Sequence, residues 1–369
     1  MPKPQMGKPG TARRKRDSSS YYHLCISYIA FREQVIRMTR IPLWSCRHSC
    51  YSRLCSTWRA PYAPYTILQA RSVATVPMLS SWTIDTFRKE SFVPQTPVAL
   101  AMPDQSLPRA LTKWFVHEGT ENSSSCTQSF RHSELNSSFW EVHGNSIVPL
   151  EITESASGDE SPTTFERINA PLNLLLAHIE RTSGGKQLAQ SVYLAQHDLR
   201  DLPQPLQDDL PTPCLVKHAG NGDLYSSSLW LGRPPTYTPL HRDPNPNLFM
   251  QLAGTKVIRL FRPEIGDAIF DHTANVLNQA GVGRHILSDH HPRSATFRGE
   301  EMMTGRERSM LHDLVWGQPS DKNNNSAVLQ HAQEAMVEHG HALFIPKGWW
   351  HSVKGVGDGV TASANWWFR

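Results

Sequence analysis

The feature that most restricts how this chain can fold is a series of short apolar runs, each closed off by turn residues. They are SIVPLEIT (146–153), SVYLAQ (191–196), YSSSLWLG (225–232), NLFMQLA (247–253), KVIRLF (256–261), ALFIP (342–346) and VTASANWWF (360–368). Each is too short for a helix with a core-facing stripe, and Gly, Pro, Asn or Asp stands nearby. Many short strands separated by turn signals predict a sandwich or barrel. An apolar fraction of 39% against 19% charged residues is enough to build such a core. One amphipathic helix interrupts the series at NAPLNLLLAHIERT (169–182), which opens on Asn and Pro and spaces its apolar residues helically. A short helix is expected within 110–117. Another heads TIDTFRKESFVPQTPVAL (83–100), whose Pro-bounded remainder reads as extended chain. Residues 264–335 are polar and poor in strand pattern, with a loop at DKNNNS (321–326). They read as a helical and loop insertion between two halves of a barrel.

Charge divides the chain. Residues 1–80 hold 13 Lys/Arg against Asp17 and Glu33, whereas the whole chain is only +4, so the remainder is mildly acidic. A strong nucleic-acid surface on the core is therefore not expected. Between Gln34 and Ile84 there is no acid, while Arg37, Arg40, Arg47, Arg53, Arg59 and Arg71 lie among Ser, Thr, Leu and Tyr. That is the composition of a mitochondrial transit peptide, correctly placed if translation starts at Met38. Arg13, Arg14, Lys15 and Arg16 form instead a cluster of the nuclear-import kind, and a disordered basic tail on a nuclear or cytoplasmic protein is the plain alternative. Cys46, Cys50 and Cys55 with His48 suggest a zinc knuckle, but they lack a C-x2-C pair and a second ligand pair. Only Cys126 and Cys214 lie in the core, which fits a reducing compartment. No run approaches the roughly 18 apolar residues of a membrane span. The expected organisation is a basic, disordered or targeting segment over 1–80 and one domain over 81–369.

Chemistry concentrates in TYTPLHRD (236–243). On an extended strand residues i and i+2 face one side, so His241 and Asp243 can share a ligand. Two imidazoles and a carboxylate make the facial set that leaves positions open on Fe(II). About one H-x-D match is expected by chance in a chain of this composition, so the motif alone carries little. This chain has a single H-x-D, set among strand-like runs beside Pro239 and Pro244, and a second strand ends in IPKGWWH, which offers His351.

TPLHRDPNPNLFMQLAGTKVIRLF, then LFIPKGWWHSV, then ANWWF, in that order, resemble the Jumonji-C domain of the cupin superfamily. The nearest likeness is to small hydroxylase-type members related to factor inhibiting HIF and to the cupin-like group. The resemblance covers about 82–369, since SFVPQTPVAL, SIVPLEI and SVYLAQHDL look like the family's N-terminal elements. It implies a mainly β fold with flanking helices, a double-stranded β-helix (jelly-roll, cupin) barrel, that uses Fe(II), 2-oxoglutarate and O2. It implies His241, Asp243 and His351 as metal ligands and catalytic residues. Lys256, Thr238 and Tyr193 would hold the distal carboxylate of 2-oxoglutarate, with Asn247 near its chelating end, Trp230 lining the pocket and Asn365 as an amide found in some members. The plain alternatives are a solvated strand lysine for Lys256, ordinary strand residues for Thr238 and Tyr193, and core or pocket wall for Trp230, Trp349, Trp350, Trp366 and Trp367.

The activity implied is a dioxygenase, a protein side-chain hydroxylase before the alternatives of a histone or protein lysine or arginine demethylase, or an RNA or small-molecule hydroxylase. A non-catalytic cupin holding a metal or ligand is the reading from another class; loss of a ligand or of Lys256 would favour it, and all are present. A metal-dependent cupin of other chemistry would not need Lys256 with Thr238. Two departures from the family stand out. The chain stops at Arg369 soon after the last strand, so the C-terminal helical dimerisation module is expected to be absent. The 264–335 insertion is longer than usual in the small members and borders the pocket mouth in the family, so it is expected to affect substrate choice.

Overall fold

The computed structural model describes residues 73–117, 132–155, 162–186, 188–280, 303–318 and 325–369. The transit-peptide segment, the basic cluster, the cysteine group near His48, Cys126 and the DKNN part of the polar loop lie outside them.

The strands in chain order are β1 (Ala74–Thr75), β2 (Val98–Ala101), β3 (Phe115–His117), β4 (Ser133–Leu135), β5 (Ile147–Ser155), β6 (Pro162–Pro171), β7 (Gln190–Asp198) and β8 (Leu224–Gly232). They continue as β9 (Thr236–Arg242), β10 (Asn247–Ala253), β11 (Thr255–Phe261), β12 (Gln333–Glu338), β13 (His341–Ile345), β14 (Trp350–Val356) and β15 (Thr361–Phe368). One sheet runs β1-β12-β11-β14-β9, the other β2-β13-β10-β15-β8-β7-β5-β6, and β3 pairs with β4 apart. The two large sheets enclose the cupin barrel, mainly antiparallel, with β1 added parallel to β12.

Alternation sorts the apolar side chains into three layers, because successive residues of a strand face opposite ways. Phe249, Ile258, Leu260, Leu343, Ile345 and Val353 meet between the sheets. Leu248, Met250 and Leu252 of β10 point outward, into the large cluster against the N-terminal helices. Val257, Phe261 and Leu240 point outward from the other sheet onto the helices Pro263–Gln279 and Gly305–Trp316, through Ile269, Phe270, Leu311 and Val315. A strand between two covered faces needs apolar residues on both, which is why NLFMQLA is buried throughout.

Every apolar run of the sequence reading is a strand within a residue or two at each end. Three regions differ. The helix expected from 169 starts at Asn173, because Asn169 to Pro171 finish β6 on β5. Its Leu175 and Ile179 still supply the buried stripe. The expected helix over 110–117 is a single turn, Ala110–Lys113, followed by β3. Sheet pairing begins at Ala74, before the composition boundary at 80. The described helices of the 264–335 insertion, Pro263–Gln279 and Gly305–Trp316, lie on the outer face of the five-stranded sheet. Burial of their apolar stripes against Val257 and Phe261 places them there.

Candidate metal centre

His241 and His351 stand directly opposite on β9 and β14, ring centroids 4.1 Å apart. Asp243 lies just past the end of β9, with Oδ2 3.7 Å from His351 Nε2. Among the described residues these three are the one group of His, Cys, Asp or Glu placed to share a metal, their candidate ligand atoms all within 4.8 Å of one another.

Each ligand is oriented from behind. His241 Nδ1–H donates to the Pro239 carbonyl at 2.8 Å, and His351 Nδ1–H to the Trp349 carbonyl at 3.2 Å. A carbonyl can only accept, so in the neutral ring the proton sits on Nδ1 and the lone pair on Nε2, the ligating tautomer. Burial pushes the His241 pKa down, helped by His351, which keeps the ring neutral. Asp243 Oδ2 accepts from Trp367 Nε1 at 2.7 Å and from Asn247 Nδ2 at 3.1 Å. Because a carboxylate can only accept, Asn247 must turn its amide nitrogen toward it; its Oδ1 then accepts from Asn365 Nδ2 at 3.1 Å. That relay fixes the orientation of both amides and leaves Asn365 Oδ1 buried without a hydrogen-bond partner among the described residues.

The turn between β13 and β14 brings His351 home. Gly348 has φ 76°, a left-handed conformation that costs other residues, and its N–H donates to the Asp243 carbonyl at 3.1 Å. In β9, two residues between Thr238 and His241, Pro239 and Leu240, oppose the single Ser352 between Val353 and His351 in β14. This bulge puts Thr238 and His241 on the same inner face, which an unbroken strand would not do. Leu240, within it, points to the outer cluster.

The other end of the cavity wall is organised around Lys256. Its ammonium donates to Ser363 Oγ at 2.7 Å and to the Tyr193 hydroxyl at 3.2 Å, with Phe249, Tyr193 and Trp230 rings 5.5 to 6.0 Å away. Lys256 is 3% exposed, and burial alone lowers its pKa from 10.5 to about 7. No carboxylate among the described residues pairs with it. Lys256, Gly355 and Thr236 form one cross-strand row on β11, β14 and β9. A Cβ on Gly355 would come within 2.4 Å of Thr236 Oγ1, so the missing side chain is what admits the threonine. Thr236 in turn hydrogen-bonds Tyr193, whose own pKa is raised by burial and by Glu151 nearby. Gly232 clears space for the Tyr193 ring in the same way, with a Cβ falling 2.5 Å from it. Thr238 stands one row nearer the imidazoles, opposite Val353.

The residues expected to form the metal and co-substrate site thus lie on this inner surface, in two groups, whereas Trp350 and Trp366 face the outer clusters. His241, Asp243, His351, Asn247 and Asn365 gather at one end; Lys256, Tyr193 and Trp230 gather at the other, with Thr238 between. Sequence reasoning missed Ser363, Thr236 and the role of Trp367. The signal was present in β15, where Ser363, Asn365 and Trp367 follow the period of two that faces one side.

Residues 111–369 match the cupin-like domain family. The chain belongs to that family, as a cupin-like JmjC domain. Relatives of the JmjC domain include Jumonji C domain-containing protein 5 of Drosophila melanogaster, 24% identical over 82% of this chain and 62% of the relative. Lysine-specific demethylase JMJ30 of Arabidopsis thaliana is 26% identical over 82% of the chain and 57% of its own length. Lysine-specific demethylase 8 of Danio rerio is 30% identical over a shorter stretch, 37% of the chain and 32% of the relative. The chain therefore spans little more than half the length of the first two.

The residues present fit the groups such a domain uses. Two imidazoles and a carboxylate are a donor set for Fe(II). A buried ammonium, answered only by hydroxyls and ring faces, fits the far carboxylate of a short dicarboxylate.

Proposed function

We propose that this JmjC domain is an Fe(II)- and 2-oxoglutarate-dependent oxygenase acting on a protein side chain. The observation that carries the reading is Lys256, a buried ammonium without a carboxylate partner on the same inner surface as the His241, Asp243 and His351 set. A structural lysine at that depth would be expected to have an acid beside it. The rows of Lys256 and of the imidazoles are four strand residues apart, roughly 13 Å, which an extended lysine and a five-carbon diacid can bridge together.

When bound, iron would activate O2, the oxidant, with 2-oxoglutarate as the two-electron reductant: the oxo acid would leave as CO2 and succinate, which keeps one oxygen atom, while the other enters a substrate C–H bond. The chain's own residues do the placing. Lys256, Tyr193 and Thr238 would hold the far carboxylate, with Ser363 and Thr236 fixing the ammonium and the phenol. Asn247 and Trp367 hold the Asp243 carboxylate, and the Pro239 and Trp349 carbonyls aim the two imidazoles. Phe249, Leu343, Ile345, Val353 and Trp349 line the interior with apolar surface that excludes water.

Insertion of oxygen into an unactivated carbon leaves a hydroxylated residue; insertion into an N-methyl group gives a hemiaminal that loses formaldehyde. The sequence alone put carbon hydroxylation first. The relatives named as lysine-specific demethylases shift the weight to N-methyl-lysine as the substrate. For the compartment we take the nuclear alternative over the mitochondrial one, in keeping with the basic cluster at Arg13 to Arg16. Among the described residues no helix is long and apolar enough to cross a membrane.

The test is decarboxylation of carboxyl-labelled 2-oxoglutarate by the purified protein with Fe(II) and ascorbate, run with methyl-lysine and unmodified peptides and read by mass spectrometry. Release dependent on His241 and Lys256 is expected, with methyl loss in the first peptide. Oxygen gain on the unmodified peptide would restore the hydroxylase reading. Release by His241→Ala as fast as wild type would sink both.

A further inference from the structure

Helix Pro263–Gln279 packs on the back of the two strands that carry the imidazoles, and its contacts fall on the residues that alternate with the ligands. Arg242 separates His241 from Asp243, and Trp350 precedes His351. Those two stand opposite each other across β9 and β14, one position from the His241–His351 pair. One carboxylate reaches both. Asp267 Oδ1 accepts from Arg242 Nη1 at 2.8 Å and from Trp350 Nε1 at 3.1 Å. The guanidinium lies 5.2 Å from the centre of the Trp350 ring, and Phe270 stacks on the same indole at 5.6 Å. Next to Asp267, Gly266 lets the helix sit at contact distance, since a Cβ there would come within 2.0 Å of the indole. Trp350 is fully buried.

Neighbouring side chains on a strand leave the same backbone in opposite directions, so whatever fixes Arg242 and Trp350 outside also fixes the ligands inside. We propose that Asp267 is a positioning residue for the metal centre. It clamps Arg242 to Trp350 and thereby sets the spacing of the two imidazole-bearing strands from outside the barrel. The inference rests on the iron reading of the triad. The Asp267 side chain is 40% exposed, so the ion pair adds little to folding stability, and its effect falls on ligand geometry. Coupling of this kind is reciprocal, so metal must in turn steady the clamp and the helix that carries it.

The experiment uses the full chain, with Co(II) as a spectroscopic stand-in for iron, and measures Co(II) affinity, urea unfolding and amide hydrogen exchange with and without metal. In the wild type, Co(II) is expected to slow exchange in Pro263–Gln279. Asp267→Ala is expected to bind Co(II) about tenfold more weakly, with a urea midpoint lowered only by the indole hydrogen bond it loses, and to lose that metal-dependent protection. Asp267→Asn keeps an acceptor for the indole but loses the charge, and is expected to fall between. Wild-type affinity and protection in Asp267→Ala overturn the proposal. Should that variant unfold, Asp267→Asn decides alone, and an unchanged affinity overturns it. A wild type that binds no Co(II) removes the iron reading itself, and the clamp with it.

Discussion

Replacing Lys256 by methionine perturbs folding and co-substrate binding in opposite directions. Burial lowers the pKa of this lysine from 10.5 to about 7. Holding the ammonium charged at neutral pH therefore costs up to about 4–5 kcal/mol of folding free energy. The sign follows from proton counting. Below pH 7 the lysine is charged in both states and the cost is full. Between about 7 and 10.5 the unfolded chain still holds a proton that the folded chain has released, so stability rises with pH across that window. Methionine removes the cost but leaves the hydroxyls of Tyr193 and Ser363 without their donor, about 1 kcal/mol each. The variant is thus expected to be about 2–3 kcal/mol more stable than wild type at pH 7 in urea unfolding. Its affinity for 2-oxoglutarate is expected to fall by about 10- to 150-fold, the worth of a buried charge-assisted hydrogen bond of about 1.5–3 kcal/mol. Bound dicarboxylate also restores the lysine's charge. At pH 8 wild-type binding should take up close to one proton, read by calorimetry in two buffers of different ionisation heat, and the affinity should weaken as pH rises further. A methionine variant that is less stable and binds 2-oxoglutarate as well as wild type would refute the reasoning, as would binding without proton uptake.

Three further outcomes are expected. Trp367→Phe removes the indole donor from Asp243 and should weaken Co(II) binding about tenfold with the fold intact; unchanged affinity would mean that the indole does not hold the ligand. Gly266→Ala forces the helix away from Trp350 and should destabilise by about 1–3 kcal/mol, measured by urea unfolding, a neutral result showing that the helix can yield. Gly355→Ala pushes Thr236 out of the Lys256 row and should raise the KM for 2-oxoglutarate while leaving Co(II) affinity near wild type; equal loss of both would show that the two ends of the site are not separable.

The barrel was legible because its strands are covered on both faces or on one, which prints apolar runs or alternation directly into NLFMQLA, KVIRLF and VTASANWWF. Strand β6 was not, since it lies at a sheet edge, and PTTFERINAP carries few apolar residues. Asn169 to Pro171 read as a helix start because Asn and Pro are helix-opening residues, yet pairing with β5 claims their backbone. At the site, residue types and spacing indicated His241, Asp243 and His351, and the family resemblance indicated Lys256, whereas Thr236 depends on a cross-strand row that no single strand reveals. The position of the insertion was not legible either. Polarity marked it as surface, but the contact of Gly266 and Asp267 with Trp350 arises between segments far apart in the chain.

The extra residue at Pro239–Leu240 also bears on what kinds of change this chain can absorb. It makes β9 two half-strands out of phase, one serving the lysine end through Thr236 and Thr238, the other serving the metal end through His241 and Asp243. Substitutions within either half alter one function and leave the other in place. A one-residue deletion at the junction would swing one half outward, whichever yields, and uncouple the co-substrate from the metal while keeping every functional residue in the sequence. Length is therefore as informative as identity in TYTPLHRD, and a designer could exchange the metal end of this strand as a cassette, provided the junction keeps its count.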